Sequence, residues 1–403
     1  MNYDRNVVSL AVFNLFRGLA TGGYMALFSA YMSRLGYSMS DIGVVVALSN
    51  IAGFLASPAM GYILEVYSSR LVSTITGLLA AFSLLIAAYT SDIVSLAISY
   101  SLFMLSFYFG QPARMTFLSR VVERKRLGGV VGVTSAVFTL ARSIGPPVAG
   151  FIAGYYSYTL SFTILAALAA IGSTVFYLTS TEPTANSGER KGYGLLEPYK
   201  RILRPSRELA VLYLFVGVDR AAWMMWFPML SAYLVSLGYD EATIGALLGL
   251  SNFIETLCTP IMGKLVDSMG ASRVLALSEA TAMLSALTLI TAGNGIYYVV
   301  VSMVLIGLSI SSWVPGYNVY VAKVYERIGE TYATTNAIRS LSGIPAPYIG
   351  GVLQDTITLQ APLLASAVML AFTTIVSLTT LDNIERLKTP QVQYTELMRN
   401  PRV

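Results

Sequence analysis

Two stretches of the chain repeat one pattern, and this repeat decides the fold. Residues 29–63 read SAYMSRLGYSMSDIGVVVALSNIAGFLASPAMGYI, and residues 231–265 read SAYLVSLGYDEATIGALLGLSNFIETLCTPIMGKL. At a constant offset of 202 positions, fifteen of the 35 residues are identical. The identities include glycine, asparagine and proline, which a shared hydrophobic character would not match. The chain is therefore built from two related halves.

The composition around these stretches is that of a membrane protein. Of the 403 residues, 55% are apolar and 12% are charged, whereas soluble domains average about a quarter charged. So little charge cannot cover soluble surfaces, and the apolar content excludes disorder. Histidine is absent and Cys258 is the single cysteine, which excludes histidine ligands, Ser-His-Asp triads and internal disulfides. We therefore expect no enzyme activity, no metal and no cofactor, and any proton coupling must use carboxylates.

The fold class follows from counting apolar runs. A spanning helix needs about 20 mostly apolar residues, and the sequence contains twelve such runs: 7–32, 40–64, 70–90, 93–118, 128–154, 158–180, 208–236, 241–267, 272–292, 296–322, 330–355 and 361–382. Six spans separate the two copies of the repeat, so both halves have the same topology. The expected fold is all-α, with two pseudo-symmetric six-helix bundles in residues 1–181 and 208–384, a cytoplasmic linker in 182–207 and a cytoplasmic tail in 385–403.

Basic residues predict the orientation of the chain in the membrane. Of 26 Lys and Arg residues, twenty lie at the termini, in the middle loop or after even-numbered spans. Only Arg34 follows an odd-numbered span, and the other five lie inside spans. Because cytoplasmic loops are enriched in Lys and Arg, both termini are expected in the cytoplasm, with the chain in the plasma membrane. These charges flank membrane helices, so nucleic acid is not an expected partner. The expected surroundings are the lipid bilayer, and the chain is expected to be a monomer.

Two loops at equivalent places carry a related motif. Gly61-Tyr62-Ile63-Leu64-Glu65 precedes Arg70, and Gly263-Lys264-Leu265-Val266-Asp267 precedes Arg273. They resemble the G-x-L-(A/S)-D-R-x-G-R-(K/R) signature of the 12-helix transporters of the major facilitator superfamily. The resemblance covers nearly the whole chain and implies transport by alternating access. It also implies a conformational latch at these residues, in which Glu65 caps span 11.

Span 5 carries a second resemblance. Gly145, Pro146 and Gly150 match the G-x-x-x-G-P-x-x-G-G element of proton-coupled drug antiporters, with Ala141 and Ala149 in place of glycines. Another element of that family, an arginine in span 4 within R-x-x-Q-G, is missing, since residues 99–109 contain no basic side chain. The span 5 motif therefore favours an antiporter, whereas the missing arginine in span 4 argues against one.

Charges inside the spans are the candidates for coupling, because ionisable groups are costly in a bilayer. Arg17 in span 1 and Asp219 and Arg220 in span 7 share one depth. They are predicted to form a substrate and coupling cluster, or a structural Arg17–Asp219 ion pair. Glu255 lies near mid-depth and is predicted to carry a proton. Glu279, nearer a helix end, is expected in a cytoplasmic network.

Further candidates for the walls of a substrate cavity are polar, aromatic or basic side chains within the spans: Tyr24, Gln111, Arg142, Trp223, Trp313 and Asn318. The sequence predicts a secondary transporter that moves a small molecule with a proton as partner, and efflux of hydrophobic, drug-like compounds is preferred. Two alternatives remain: an organic-anion transporter that uses Arg17 and Arg220, and a transporter-like receptor or scaffold.

Overall fold

The fold consists of long helices joined by short loops. The computed structural model describes residues 3–182 and 205–388. The first half contains α1 Tyr3–Arg34, α2 Met39–Val66, α3 Ser69–Tyr89, α4 Ile93–Val121, α5 Arg124–Tyr155 and α6 Tyr158–Thr179. The second half contains α7 Arg207–Met224, α8 Leu230–Ser236, α9 Glu241–Met269, α10 Ala271–Ile290, α11 Ile296–Val324, α12 Ile328–Gly343, α13 Pro345–Thr356, α14 Ala361–Val376 and α15 Asp382–Lys388.

Within the described residues, ten helical segments are long and apolar enough to cross a membrane. They correspond to predicted spans 2–10 and 12. Predicted span 1 is α1, which contains the polar residues Asn14 and Arg17 in its apolar run. Predicted span 11 is divided into α12 and α13, each shorter than a full crossing. The all-α fold with twelve expected segments is confirmed.

Breaks in two helices have local causes. Span 7 was predicted as one run over 208–236, but α7 ends at Met224 and a 3₁₀ turn, Phe227–Met229, precedes α8. Pro228 lies in this turn and cannot donate a backbone hydrogen bond. Span 11 is interrupted at Ile344, where Pro345 begins α13. Proline therefore divides both spans, each in the second half of the chain.

The repeat is visible in the turns that follow α1 and α8. Gly36 and Gly238, equivalent at the 202-residue offset, adopt φ values of +90° and +89°. L-residues with a side chain rarely adopt this backbone conformation. Both copies of Leu-Gly-Tyr therefore end a helix by the same glycine turn.

Helix contacts divide the chain into two compact units. Unit 1 contains α1–α6, α8, the first part of α9 to Phe253, and α13. Its interior includes a cluster of aromatic rings: Tyr24, Phe28, Tyr100, Phe103 and Phe162. Unit 2 contains α7, the rest of α9, α10–α12, α14 and α15. One of its core clusters includes Phe215, Leu275 and Tyr320.

The predicted linker and tail fall mainly outside the described residues, which end at Glu182 and Lys388 and resume at Pro205. The division into bundles at residues 181 and 208 stays a prediction.

Candidate functional site

Unit 2 contains a buried ion pair at mid-helix. Asp219 of α7 is 1% exposed, and its Oδ2 lies 3.4 Å from Nη1 of Arg339 on α12. The Arg339 guanidinium lies 3.8 Å from the centre of the Trp313 ring on α11. A cation over an indole face is attracted by the ring quadrupole. Arg339 is therefore held between a carboxylate and an aromatic ring from two different helices.

A second buried acid shares this arginine. Glu279 of α10 is 0% exposed, and its charge interacts with those of Asp219 and Arg339. Oε1 of Glu279 and Oδ1 of Asp219 have no hydrogen-bond partner among the described residues. Two carboxyl groups with one paired arginine form a cluster whose charge changes when one of them gains or loses a proton.

Thr373 of α14 accommodates either protonation state of Glu279. Its Oγ1 lies 2.7 Å from Oε2 of Glu279 and 3.0 Å from the carbonyl oxygen of Leu370. A hydroxyl has one proton to donate and two lone pairs that accept. Thr373 can donate to a Glu279 carboxylate, or donate to Leu370 and accept from a protonated Glu279. Rotation of one hydroxyl therefore keeps the contact in both states.

Arg220 lies beside this acid pair within unit 2. Its side chain packs near Gly343, where a Cβ would lie 3.4 Å from Arg220 Nε, and its charge acts on Asp219. Asp219 pairs with Arg339 within unit 2, and the predicted grouping of Arg17 with Asp219 stays a prediction. Arg17 is a buried residue of unit 1, where its Nη2 donates to Oγ of Ser106 at 2.6 Å.

The span 5 motif brings helices of unit 1 into close contact. A Cβ on Gly145 would lie 2.4 Å from the carbonyl oxygen of Leu19 on α1. A Cβ on Gly245 of α9 would lie 2.3 Å from the carbonyl oxygen of Pro146. Both distances are shorter than any ordinary carbon contact. The motif therefore permits backbone-to-backbone packing of α5 on two neighbours.

The contact between α5 and α9 is repeated between α13 and α2. A Cβ on Gly43 of α2 would lie 2.4 Å from the carbonyl oxygen of Pro347. Gly43 and Gly245 are equivalent at the 202-residue offset, and Pro347 follows Pro146 by 201. The same small-residue contact is thus built twice, with α13 as the counterpart of α5.

A second pair of glycines continues these contacts toward the ends of α2 and α9. A Cβ on Gly150 would lie 2.3 Å from the carbonyl oxygen of Glu241, and one on Gly351 would lie 2.3 Å from that of Met39. Glu241 and Met39 are also related by 202 positions. We call these four glycine contacts, made by Gly43, Gly150, Gly245 and Gly351, the distal contacts. They lie in the halves of these helices remote from the N-terminus of α1.

Equivalent residues of the repeat also meet directly. Oγ of Ser29 on α1 lies 2.6 Å from Oγ of Ser231 on α8, and these serines are related by the 202-residue offset. Two equivalent residues touch each other only on or near a two-fold axis. The Ser29–Ser231 contact therefore marks the pseudo-symmetry axis within unit 1.

The signature region is organised around two helix N-termini. Glu182 accepts hydrogen bonds from the backbone N–H groups of Ser69 and Arg70 at the start of α3, at 3.3 and 2.8 Å, and pairs with Arg120 at 2.7 Å. A carboxylate at a helix N-terminus is favoured by the helix dipole. The pKa of Glu182 is lowered because its burial, which acts to raise it, is outweighed by these hydrogen bonds and by Arg120.

The second half repeats this arrangement. Glu385 accepts hydrogen bonds from the N–H groups of Ala271 and Ser272 at the start of α10, at 3.0 and 2.8 Å. Lys323 lies 3.8 Å from the same carboxylate. In each half, an acid that lies in or just after the last span therefore caps the N-terminus of the third span.

The predicted latch residues have different environments. Arg70 lies over the Tyr177 ring at 4.4 Å, and Arg273 approaches Asp382 at 3.5 Å. Asp267 is exposed, and a Cβ on Gly263 would meet open space. The side chains at positions 61 and 65 lie outside the described part of the structure, so the roles predicted for Gly61 and Glu65 stay predictions.

The remaining candidates are scattered. Tyr24 is 0% exposed and bonds Ser99 at 2.8 Å, the environment of a core residue. Gln111 and Asn318 are exposed, while four others are half-buried: Arg142, Trp223, Glu255 and Trp313. Of these, Trp313 contacts Arg339.

Glu279 and Arg339 were not predicted as partners of Asp219. Glu279 was expected in a cytoplasmic network because it lies near a helix end. In the structure it lies eight residues from the start of α10 and is fully buried. Eight residues rise about 12 Å along a helix, which reaches the bilayer interior. Counting this rise from the helix start would have placed Glu279 near Asp219 in depth.

The comparisons with known proteins agree with this architecture. A model of the Major Facilitator Superfamily matches residues 10–347 and 212–397. Multidrug resistance protein 2 of Bacillus subtilis (strain 168) is 22% identical over 364 residues, which cover 88% of this chain and 90% of that protein. The multi-drug resistance efflux pump PmrA of Streptococcus pneumoniae is 22% identical over 391 residues, covering 90% and 94%.

Solved structures share the fold at low identity. A mutant of the nucleoside transporter NupG has a TM-score of 0.78 at 15% identity, covering 94% of this chain and 99% of that one. A mutant of the peptide transporter POT in complex with sulfate has a TM-score of 0.75 at 15% identity, covering 94% and 95%. With a family match over most of its length, the chain belongs to the Major Facilitator Superfamily and is a multi-pass membrane transporter of small molecules rather than an enzyme.

Proposed function

We propose that this transporter exports hydrophobic, drug-like compounds across the plasma membrane in exchange for protons, with both termini in the cytoplasm. The observation that carries the proposal is the pair of buried carboxyl groups, Asp219 and Glu279, that share Arg339. In a chain without histidine, such carboxyl groups are the side chains suited to carry a proton.

Competition for Arg339 supplies a coupling mechanism. With Glu279 protonated, Asp219 and Arg339 form a neutral pair. With Glu279 ionised, two carboxylates compete for one guanidinium, and a buried charge without a partner is unfavourable. Loss of the proton therefore favours a rearrangement that moves Arg339 between its two acids.

The position of Arg339 connects this rearrangement to a helix. Arg339 lies on α12, five residues before the break at Ile344, and contacts Trp313 of α11. The guanidinium can move in two ways: the Arg339 side chain changes its rotamer, or the end of α12 moves together with the side chain. Because the helix is interrupted at Ile344, the end of α12 can move without carrying α13 with it. Pro347 and Gly351 of α13 take part in the distal contacts.

Relatives and charge distribution support the direction and the substrate class. The two relatives described above are named as a multidrug resistance protein and a multi-drug resistance efflux pump. The concentration of basic residues in the loops on one side favours cytoplasmic termini. The distal contacts would then lie toward the outer surface and close the path on that side.

Transport in proteoliposomes tests the proposal. Liposomes with an acidic lumen are given external ethidium, and accumulation is followed by fluorescence. We expect the unmodified protein to accumulate ethidium until nigericin collapses the pH gradient. Asp219→Asn and Glu279→Gln should abolish gradient-driven accumulation, and Glu279→Gln should retain ethidium counterflow because Gln still bonds Thr373.

The control is Glu326→Gln, which removes an exposed carboxylate after α11 and should transport normally. Gradient-driven accumulation at the unmodified rate in both Asp219→Asn and Glu279→Gln would contradict the proposal. Glu255→Gln is a useful third variant, since Glu255 is the other acid predicted from the sequence to carry a proton.

A further inference from the structure

Unit 1 contains a buried arginine, Arg17, without an acid beside it in the part of the chain that the structure describes. Arg17 is 2% exposed, and its Nη2 donates to Ser106, while Nη1 has no hydrogen-bond partner among the described residues. Its guanidinium lies 5.1 Å from the centre of the Phe103 ring. Among the residues that the structure describes, no carboxylate lies within ion-pair distance of Arg17.

A second cation acts on the same region. Arg114 of α4 interacts electrostatically with Arg17, and its guanidinium lies 5.1 Å from the Phe138 ring and 5.9 Å from the Phe13 ring. Arg114 also forms no ion pair with a carboxylate in the described part of the chain. Two neighbouring cations thus lie among helices α1, α4 and α5 of unit 1.

This arrangement is incomplete as it stands. Like charges repel, and a buried cation without an acid is less favourable than a paired one. In unit 2, by contrast, Arg339 pairs with Asp219. Next to Arg17 on the same helix, the hydroxyl of Thr21 also has no hydrogen-bond partner among the described residues, and a hydroxyl can donate to an anion. An anion placed at Arg17 would satisfy a free guanidinium N–H and neutralise charge.

We propose that Arg17 and Arg114 bind the carboxylate or sulfonate group of an aromatic organic anion within unit 1. A guanidinium offers paired N–H donors that match two oxygens of a carboxylate or a sulfonate. The rings of Phe103 and Phe138 beside the two cations suit an aromatic body. The inference rests on the proposed function, since it extends the substrates of that pump to acid-bearing amphiphiles.

Arg17 also explains a feature of α4. Residues 99–109 of this helix contain no basic side chain, yet Phe103 and Ser106 face a guanidinium that α1 supplies. The positive charge at mid-depth of α4 is therefore present, but it comes from a neighbouring helix.

Binding of 2-naphthoate to the purified protein in detergent tests the site without a proton gradient. Its methyl ester has the same aromatic body without the charge. We expect 2-naphthoate to raise Tm in a concentration-dependent manner and the ester to raise it little. Loss of one charge-assisted contact is worth about 1.5–3 kcal/mol, so Arg17→Met should weaken Kd by about tenfold or more.

Two further variants separate binding from folding. Arg17→Met replaces an unpaired cation by an apolar side chain of similar length, so Tm without ligand should not fall. Arg17→Lys should restore part of the affinity. Arg5→Met, which removes an exposed arginine of the same helix, should bind 2-naphthoate with unchanged Kd.

The outcomes separate this inference from the proposed function. Equal stabilisation by the ester, an unchanged Kd in Arg17→Met, or stabilisation by phosphatidylglycerol but not by 2-naphthoate would overturn the anion site. Glu279→Gln should leave 2-naphthoate binding intact. Binding that survives while gradient-driven transport is absent from the unmodified protein would refute the proposed coupling and leave the anion site standing.

Discussion

The distal contacts make a steric prediction for Gly245→Ala. The added Cβ would lie 2.3 Å from the carbonyl oxygen of Pro146 and 3.0 Å from its carbonyl carbon. Both atoms belong to the backbone, so no side-chain rotation relieves the overlap. Restoring an ordinary contact of about 3.5 Å requires α5 and α9 to separate by about 1 Å. Overpacking of this kind costs about 1–3 kcal/mol.

Gly263→Ala is the matched control on the same helix. A Cβ there meets open space, and both substitutions gain about 1 kcal/mol of helix propensity. The difference between them isolates the steric cost. If the distal contacts form only when the substrate path is closed on one side, a steric cost of about 1–3 kcal/mol lowers the ratio of closed to open conformers about 5- to 150-fold.

Disulfide formation between Ser29→Cys and Ser231→Cys measures the closed conformer, since their Oγ atoms lie 2.6 Å apart. The background carries Cys258→Ser, which removes the only other thiol. Cross-linking should be rapid in the control and slower in Gly245→Ala and in the equivalent Gly43→Ala. Equal rates in Gly245→Ala and Gly263→Ala would refute the assignment of these glycines to a closing contact.

Two other predictions concern charges. Arg339→Met leaves Asp219 and Glu279 without their cation. The free energy of unfolding should fall by about 3 kcal/mol, near the lower end for a buried pair because the Arg339 side chain is 19% exposed. Thermal unfolding in detergent measures this loss; adding Asp219→Asn to the same chain should restore part of it, and an unchanged Tm in Arg339→Met would contradict the pairing. The pKa of Glu182 is lowered in the fold, so its stabilising contribution is complete above its unfolded pKa of about 4.3 and is lost as the pH falls through its folded pKa. Over this range of pH, the Tm of the unmodified protein should fall more steeply than the Tm of Glu182→Gln. Parallel profiles of Tm against pH would refute the capping role.

The sequence predicted the helices well because their signal is strong. Apolar runs of about 20 residues leave little choice of structure in a bilayer, and the repeat at an offset of 202 fixed the pairing of the halves. Ser29 and Ser231 show how far this goes, since they are matched in sequence and in contact in the fold. The breaks at Pro228 and Ile344 were missed because mean hydropathy is insensitive to a single proline.

The candidate site was predicted only in part. Asp219 was identified because an ionisable side chain is energetically costly inside a membrane. Its partner was not identified, because the depth of a residue along a helix does not show which way its side chain points. Arg17 and Asp219 are equivalent in the repeat, which suggested that they pair. Within unit 2, Asp219 pairs with an arginine from α12, and within unit 1, Arg17 bonds Ser106. Pairing between helices depends on rotation about each axis, which one sequence does not specify.

The most direct test of proton coupling through Glu279 is proton release on substrate binding. Purified protein in weakly buffered detergent is mixed with ethidium, and pyranine reports the pH. The unmodified protein should release about one proton per ethidium bound, and Glu279→Gln should bind ethidium without release. Proton release of the same size from Glu279→Gln, or ethidium binding by the unmodified protein with no release, would contradict the mechanism.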